Sequence, residues 1–155
     1  MYFNKNGFVQ IKANDNLKIK GSITISLWVR PFYNNKNEII SFKTSAGGTY
    51  SGYEILSTSL GATEDFSINY GHWWTTGDDV TVIKQWVNII YVYDENSQTD
   101  RAYRNGKLLG TSPKTVDSSN MKYPDYMYIG NGYNGYIDDI RIYNRALSES
   151  EILSL

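Results

Sequence analysis

The chain has 155 residues, about one domain's worth, and that length buries roughly two thirds of the unfolded surface without covalent staples. Its formal charge of −1 supplies no basic footprint for a phosphate backbone, which argues against a nucleic-acid partner. Zero cysteines exclude a disulfide framework and a thiolate metal site, and no apolar run approaches the roughly twenty residues that insert into a bilayer.

The opening segment, MYFNKNGFVQIK, has no basic stretch followed by an apolar run, so no signal peptide is expected in it. In SITISLWVR, residues alternate: Ile23, Ile25, Leu27 and Val29 share one face, and Thr24, Ser26, Trp28 and Arg30 the other. That period of two predicts a strand with one buried side. Turn signals follow at Asn34–Asn37 and at Ala46–Gly48, and GGTYSGYE places Tyr50 and Tyr53 either in a strand or along a rim. Phe66 to Tyr70 reads as a strand. Trp86 to Asp94 (WVNIIYVYD) is apolar on both faces, the pattern of a strand covered on both sides. Asn105-Gly106 is the strongest hairpin signal, because a type I′ turn needs two residues that tolerate positive φ. Tyr126–Ile129 and Tyr136–Tyr143 are further strands around the turn NGYNG, Asn131 to Gly135. One short helix closes the chain: in ALSESEIL, Ser148 and Glu151 form a capping box, with Ile152 and Leu153 expected to dock on the sheets. Many short strands without an internal helix predict an all-β fold, two antiparallel sheets in a jelly-roll sandwich, as one domain over residues 1–155.

The order of these motifs resembles the laminin G-like modules of the concanavalin A-like lectin/glucanase superfamily. The resemblance rests on NGFVQI, SITISLWVRP, QWVNIIYVYD, AYRNGKLLG and YIGNGYNGYIDDIRIYNRALSESEI, and it spans essentially the whole chain. Arg104 stands where the hairpin usually has Val, and Asn88 where His is usual. It implies curved sheets with loops at the rim, and Trp28 and Trp86 packed as sheet-facing aromatics. Members mostly bind glycans or proteins, as parts of secreted enzymes, adhesins and viral surface proteins. The expected location is therefore extracellular or on a virion surface, reached by excision from a longer exported protein or by lysis.

Hydrolases on this fold carry carboxylates spaced E-x-D-x-x-E along one strand face, because retaining hydrolysis needs two carboxyls about 5 Å apart. Glu54, Glu64, Asp65, Asp78, Asp79 and Glu95 lack that spacing, and His72 has no Ser or Cys beside it, so no enzyme is expected. The family's calcium site implies Asp138 as a metal ligand, with carbonyls of Asn4 to Gly7 completing the oxygens; Asp139 is then left to pair with Arg141. The alternative for Asp138 is a carboxylate that only accepts backbone amides.

The remaining stretch is NYGHWWTTGDD. In a strand, Trp73 and Trp74 point to opposite faces, so one indole is left at the rim. An indole beside polar groups suits the apolar face and polar edge of a sugar ring. Tyr70, His72, Trp73, Trp74, Thr75, Asp78 and Asp79 are the expected binding set, with Tyr133 reaching the same rim. Two readings stay open. One is a lectin-like module for a polysaccharide or glycoconjugate; the other is a structural or adhesive surface protein whose aromatics bury against protein neighbours in a multimeric assembly.

Overall fold

The computed structural model describes residues 1–32, 37–46, 49–60, 63–70, 73–75 and 83–155, with backbone only at 45–46, 49–50, 58–60, 63–65, 73–75 and 119. Among these residues the chain forms β1 (Tyr2–Asn4), β2 (Val9–Lys12), β3 (Ile23–Pro31), β4 (Asn37–Ala46), β5 (Thr49–Leu60), β6 (Thr63–Tyr70) and β7 (Trp73–Thr75). There follow β8 (Val87–Asp94), β9 (Thr99–Arg104), β10 (Lys107–Pro113), a short 3-10 turn at Ser118–Asn120, β11 (Tyr126–Ile129), β12 (Asn134–Tyr143) and α1 (Glu149–Ile152). Two six-stranded antiparallel sheets result, ordered β1-β12-β3-β8-β9-β10 (sheet A) and β2-β11-β4-β5-β6-β7 (sheet B). The jelly-roll sandwich expected from the sequence is the fold found.

Alternation decides what lies between the sheets. Ile23, Ile25, Leu27 and Val29 of β3 are fully buried against Ile40 and Phe42 of β4 and Ile55 of β5. Each such side chain stabilises the sandwich by roughly 1.5–3 kcal/mol. Strand β8 is covered on both sides, as its sequence implied. Ile89, Tyr91 and Tyr93 enter the main core, while Ile90 and Val92 lie outward beneath Leu147 and Ile152. The capping box forms as expected, with the Glu151 amide donating to Ser148 Oγ (3.3 Å) and the Ser148 amide to Glu151 Oε2 (2.9 Å). Leu153 departs from expectation. It is 73% exposed, because a helix this short turns only Ile152 inward.

Tyr70 and Tyr133, expected at a rim, lie inside with three other tyrosines. Tyr53, Tyr70, Tyr91, Tyr93 and Tyr133 are nearly all sealed inside. A buried phenol needs a partner for its hydroxyl, and two loop carbonyls and a strand carboxylate serve three of these. Tyr53 donates to Leu17 O (3.1 Å), Tyr70 to Gly21 O (2.7 Å) and Tyr91 to Asp100 Oδ1 (2.7 Å). Loss of solvent raises the pKa of Tyr70 and Tyr91 well above the ordinary phenol range.

Candidate functional site

The outward face of sheet A has two halves. Over β3, β8 and β9, the half at Thr24 is roofed by the chain leading into α1. Thr24 Oγ1 donates to Arg145 O (2.8 Å) and accepts from the Leu147 amide (3.0 Å). The other half has no such cover among the described residues, and it is aromatic.

Strand register assembles it. Tyr2 of β1 pairs with Tyr136 of β12, which pairs with Arg30 of β3. Val87 of β8 pairs with Val29, so Trp86, one residue earlier, lies beside Arg30. Cross-strand partners share a face, and Tyr2, Tyr136, Arg30 and Trp86 therefore form one row across four strands. Neighbouring ring centroids are 5.3 Å apart for Tyr2 and Tyr136 and 6.0 Å for Tyr136 and Trp86. Phe32 meets Tyr136 edge-on at 5.5 Å. The Arg30 guanidinium carbon sits 5.9 Å from the Tyr136 centroid, and its Nε donates to Lys84 O (2.9 Å). The Lys84 amide in turn donates to Pro31 O (2.7 Å), which fixes the approach to Trp86.

One step along the strands, Trp28 pairs with Asp138 and with Asn88. A bulge between Asp138 and Arg141 sets two residues of β12 against Leu27 alone. Asp139 at the bulge has φ of 47°, a left-handed conformation that Asp tolerates better than most side chains. The extra residue changes the expected facing: Asp138 lies with Trp28 on the outer face, while Ile140 and Ile142 pack on the core. Trp28, Trp86, Asp138 and Asp139 line an open cleft of about 350 Å³. Trp86, expected to pack, is 42% exposed. Asp139 grips Arg141 with both oxygens (2.9 and 2.8 Å), as the sequence suggested, and its hydrogen bonds raise the arginine pKa further. Asp138 Oδ1 accepts from the Asp139 amide (3.0 Å). Its other oxygen and both indoles are the groups this cleft offers a ligand.

Of the expected binding set, only the side chains of Tyr70 and Tyr133 fall among the described residues, and both lie inside. Tyr70 is fully buried, because β6 turns it into the core rather than to a rim. Tyr133 is 1% exposed; positive φ at Gly130 and Gly132 folds the loop inward, bringing Tyr133 edge-on to Phe3 at 6.5 Å. Tyr53 is a buried residue of β5. His72, Asp78 and Asp79 lie outside the described residues, as do the side chains of Tyr50, Trp73, Trp74 and Thr75. The backbone of β7 is an edge strand pairing Trp73 with Asn69 and Trp74 with Ile68.

The calcium donors implied for Asp138 do not fit either. Asn4 pairs with Asn134, four residues from Asp138 and so about 13 Å along the strand. A calcium ion takes six to eight oxygens at about 2.3–2.6 Å, and Asn4 to Gly7 are out of reach. No group of three acidic, His or Cys side chains that could hold a metal occurs among the described residues.

The chain belongs to the concanavalin A-like lectin/glucanases superfamily, whose Laminin G 3 family matches residues 3–153. Among solved structures it is similar to domain 4 of an extracellular arabinanase from Geobacillus stearothermophilus, in complex with arabinotriose. The TM-score is 0.73 at 18% identity, over 99% of this chain and 74% of that one. It is also similar to the CBM40 of Ruminococcus gnavus IT-sialidase bound to α2,3 sialyllactose, with TM-score 0.70, 14% identity, and 88% and 83% coverage. A botulinum neurotoxin type C structure, whose cell entry depends on two ganglioside molecules, matches at TM-score 0.69 and 17% identity. There the match covers 95% of this chain but 38% of that one.

Proposed function

We propose that this chain is a non-catalytic glycan-binding module of extracellular or virion-surface context. The observation that carries the reading is the cleft in which two tryptophans stand beside two carboxylates on an open sheet face. Indoles cover the C–H face of a sugar ring, and carboxylates accept hydrogen bonds from its hydroxyls. The cleft volume, about 350 Å³, falls at the low end of the roughly 300–1,000 Å³ typical of small-molecule sites, a size for one sugar ring. Two neighbours on the same fold carry a glycan in their names, which supports the same class.

Binding without hydrolysis follows from how the carboxylates are engaged. Glycoside hydrolysis needs one carboxyl that is protonated and free to donate, facing a second across the bond. Both oxygens of Asp139 are taken up by Arg141, and its neighbour on the same strand stands beside it rather than opposite. Per-site affinity is expected near millimolar, about −4 kcal/mol, raised in nature by presenting several copies.

The test is tryptophan fluorescence titrated with a polysaccharide panel, with sizing of the protein alongside. Spectral shifts that Trp86→Ala weakens at least tenfold support the reading. Loss on Trp73→Ala or Trp74→Ala instead returns the site to edge strand β7, the centre expected from the sequence. A silent panel with a defined oligomer favours the rival reading, in which the exposed aromatics meet a protein neighbour.

A further inference from the structure

We infer that the ligand of this face is a linear run of neutral sugar residues lying across the strands, not a single terminal sugar. The inference rests on the glycan-binding reading and names the substrate class. The cleft holds one ring, yet the aromatic surface does not stop there. From Trp86 it continues through Tyr136 to Tyr2, with Phe32 flanking, at centroid steps of 6.0, 5.3 and 5.9 Å. The two steps from Trp86 to Tyr2 together carry the row farther than the width of a single pyranose. It ends in an open position, since Tyr2 is 53% exposed.

Charge restricts the class. Asp138 stands exposed at the cleft end with no cation paired to it among the described residues, whereas Asp139 is paired with Arg141, so a uronate or sialate beside Asp138 meets like charge. Arg30 in the middle of the row lies over the Phe32 and Tyr136 rings and donates to Lys84 O, which stiffens the platform and leaves Trp86 and Tyr2 as its most exposed rings. The rings are tilted, Tyr136 by 46° to Tyr2 and by 40° to Trp86, so the row suits a twisted glycan chain; each successive residue gains a contact without ordering any loop, and affinity should climb with chain length.

The experiment is isothermal titration of the full chain with neutral ladders of one to six residues: β-1,4-gluco-, β-1,4-xylo-, β-1,4-manno- and α-1,5-arabino-oligosaccharides. For the ladder that binds, association should strengthen at least tenfold between one and four residues and then level off. Tyr2→Ala and Phe32→Ala should each remove most of that gain while leaving monosaccharide binding within twofold, and Trp86→Ala should weaken every length. Affinity that is flat with length but lost in Trp86→Ala overturns the linear-run inference and keeps the glycan reading. Binding of no ladder, with the protein folded by circular dichroism, overturns both. A preference for acidic over neutral sugars of equal length overturns the neutral class.

Discussion

The two halves of sheet A's outward face use the same strands to opposite ends. At the Thr24 end, Ile90, Val92 and Tyr103 are sealed under Leu147 and Ile152. At the Trp28 end, Tyr2, Trp86, Phe32 and Tyr136 remain in part accessible beside Arg30 and two aspartates. Aliphatic side chains have nothing to offer but burial, so a sheet face made of them must be roofed. Aromatics with charged neighbours can be left open because they gain twice, from their faces and from their polar edges. The covered half is thus a stability element and the open half, under the proposed glycan reading, a recognition element, and substitutions should separate them.

The largest expected effect is on the covered half. Ile152→Ala removes a buried branched side chain and should cost about 2–5 kcal/mol, a fall of several degrees or more in melting temperature. Sugar titration of the still-folded fraction should be unchanged. If Ile152→Ala weakened binding as much as it weakened stability, the two halves would not be separable.

Trp86→Ala is the converse. The indole is 42% exposed and edges the sheet, so stability should move by less than about 1 kcal/mol while binding falls at least tenfold. A large loss of melting temperature with unchanged titration would make Trp86 a packing residue, as its sequence position first suggested.

That misplacement of Trp86 shows what could be read ahead. Period-two alternation in SITISLWVR correctly put four aliphatics inside, because burial is a local consequence of one strand's pleat. The capping box was equally legible, being complete within four residues. The aromatic row was not. Its members come from residues 2, 30, 86 and 136, and only the register of four strands sets them side by side. Nor was the bulge at Asp139, which reverses the face of Asp138 and so moves a carboxylate from an expected metal site into the cleft. Tyr70 and Tyr133 went inside for another reason: a tyrosine suits a rim or a core equally, and for Tyr70 the distant carbonyl of Gly21 made the core acceptable.

A smaller separation comes from pH. Hydrogen bonds from Arg145, then from the Ser148 amide, lower the Glu151 carboxyl from 4.5 to about 2. A depressed carboxylate contributes stability above its unfolded pKa and loses it as pH falls toward the folded value. Between about pH 4.5 and pH 2 the roof over Ile90 and Val92 should therefore loosen, seen as lower protection factors for the α1 amides once the intrinsic exchange rate at each pH is divided out. Glu151→Gln should abolish that pH dependence. Protection factors in α1 that are equal at pH 6 and pH 2.5 would show that the capping box does not hold the roof.

The smallest expected effect is none, and it bears on the open half alone. If a calcium ion bound Asp138, it would sit in the cleft, neutralise the carboxylates and compete with sugar hydroxyls for them. The described donors oppose this: Asp139 is spent on Arg141, and Asn4 to Gly7 line up with the far end of β12. Melting temperature in excess chelator should match that in millimolar calcium, and sugar affinity should be equal in both. A calcium-dependent rise in melting temperature that Asp138→Asn removes would mean that oxygens outside the described residues close around this carboxylate. The cleft would then be a metal site first, with any sugar bound through the ion and the aromatic row no longer its principal contact.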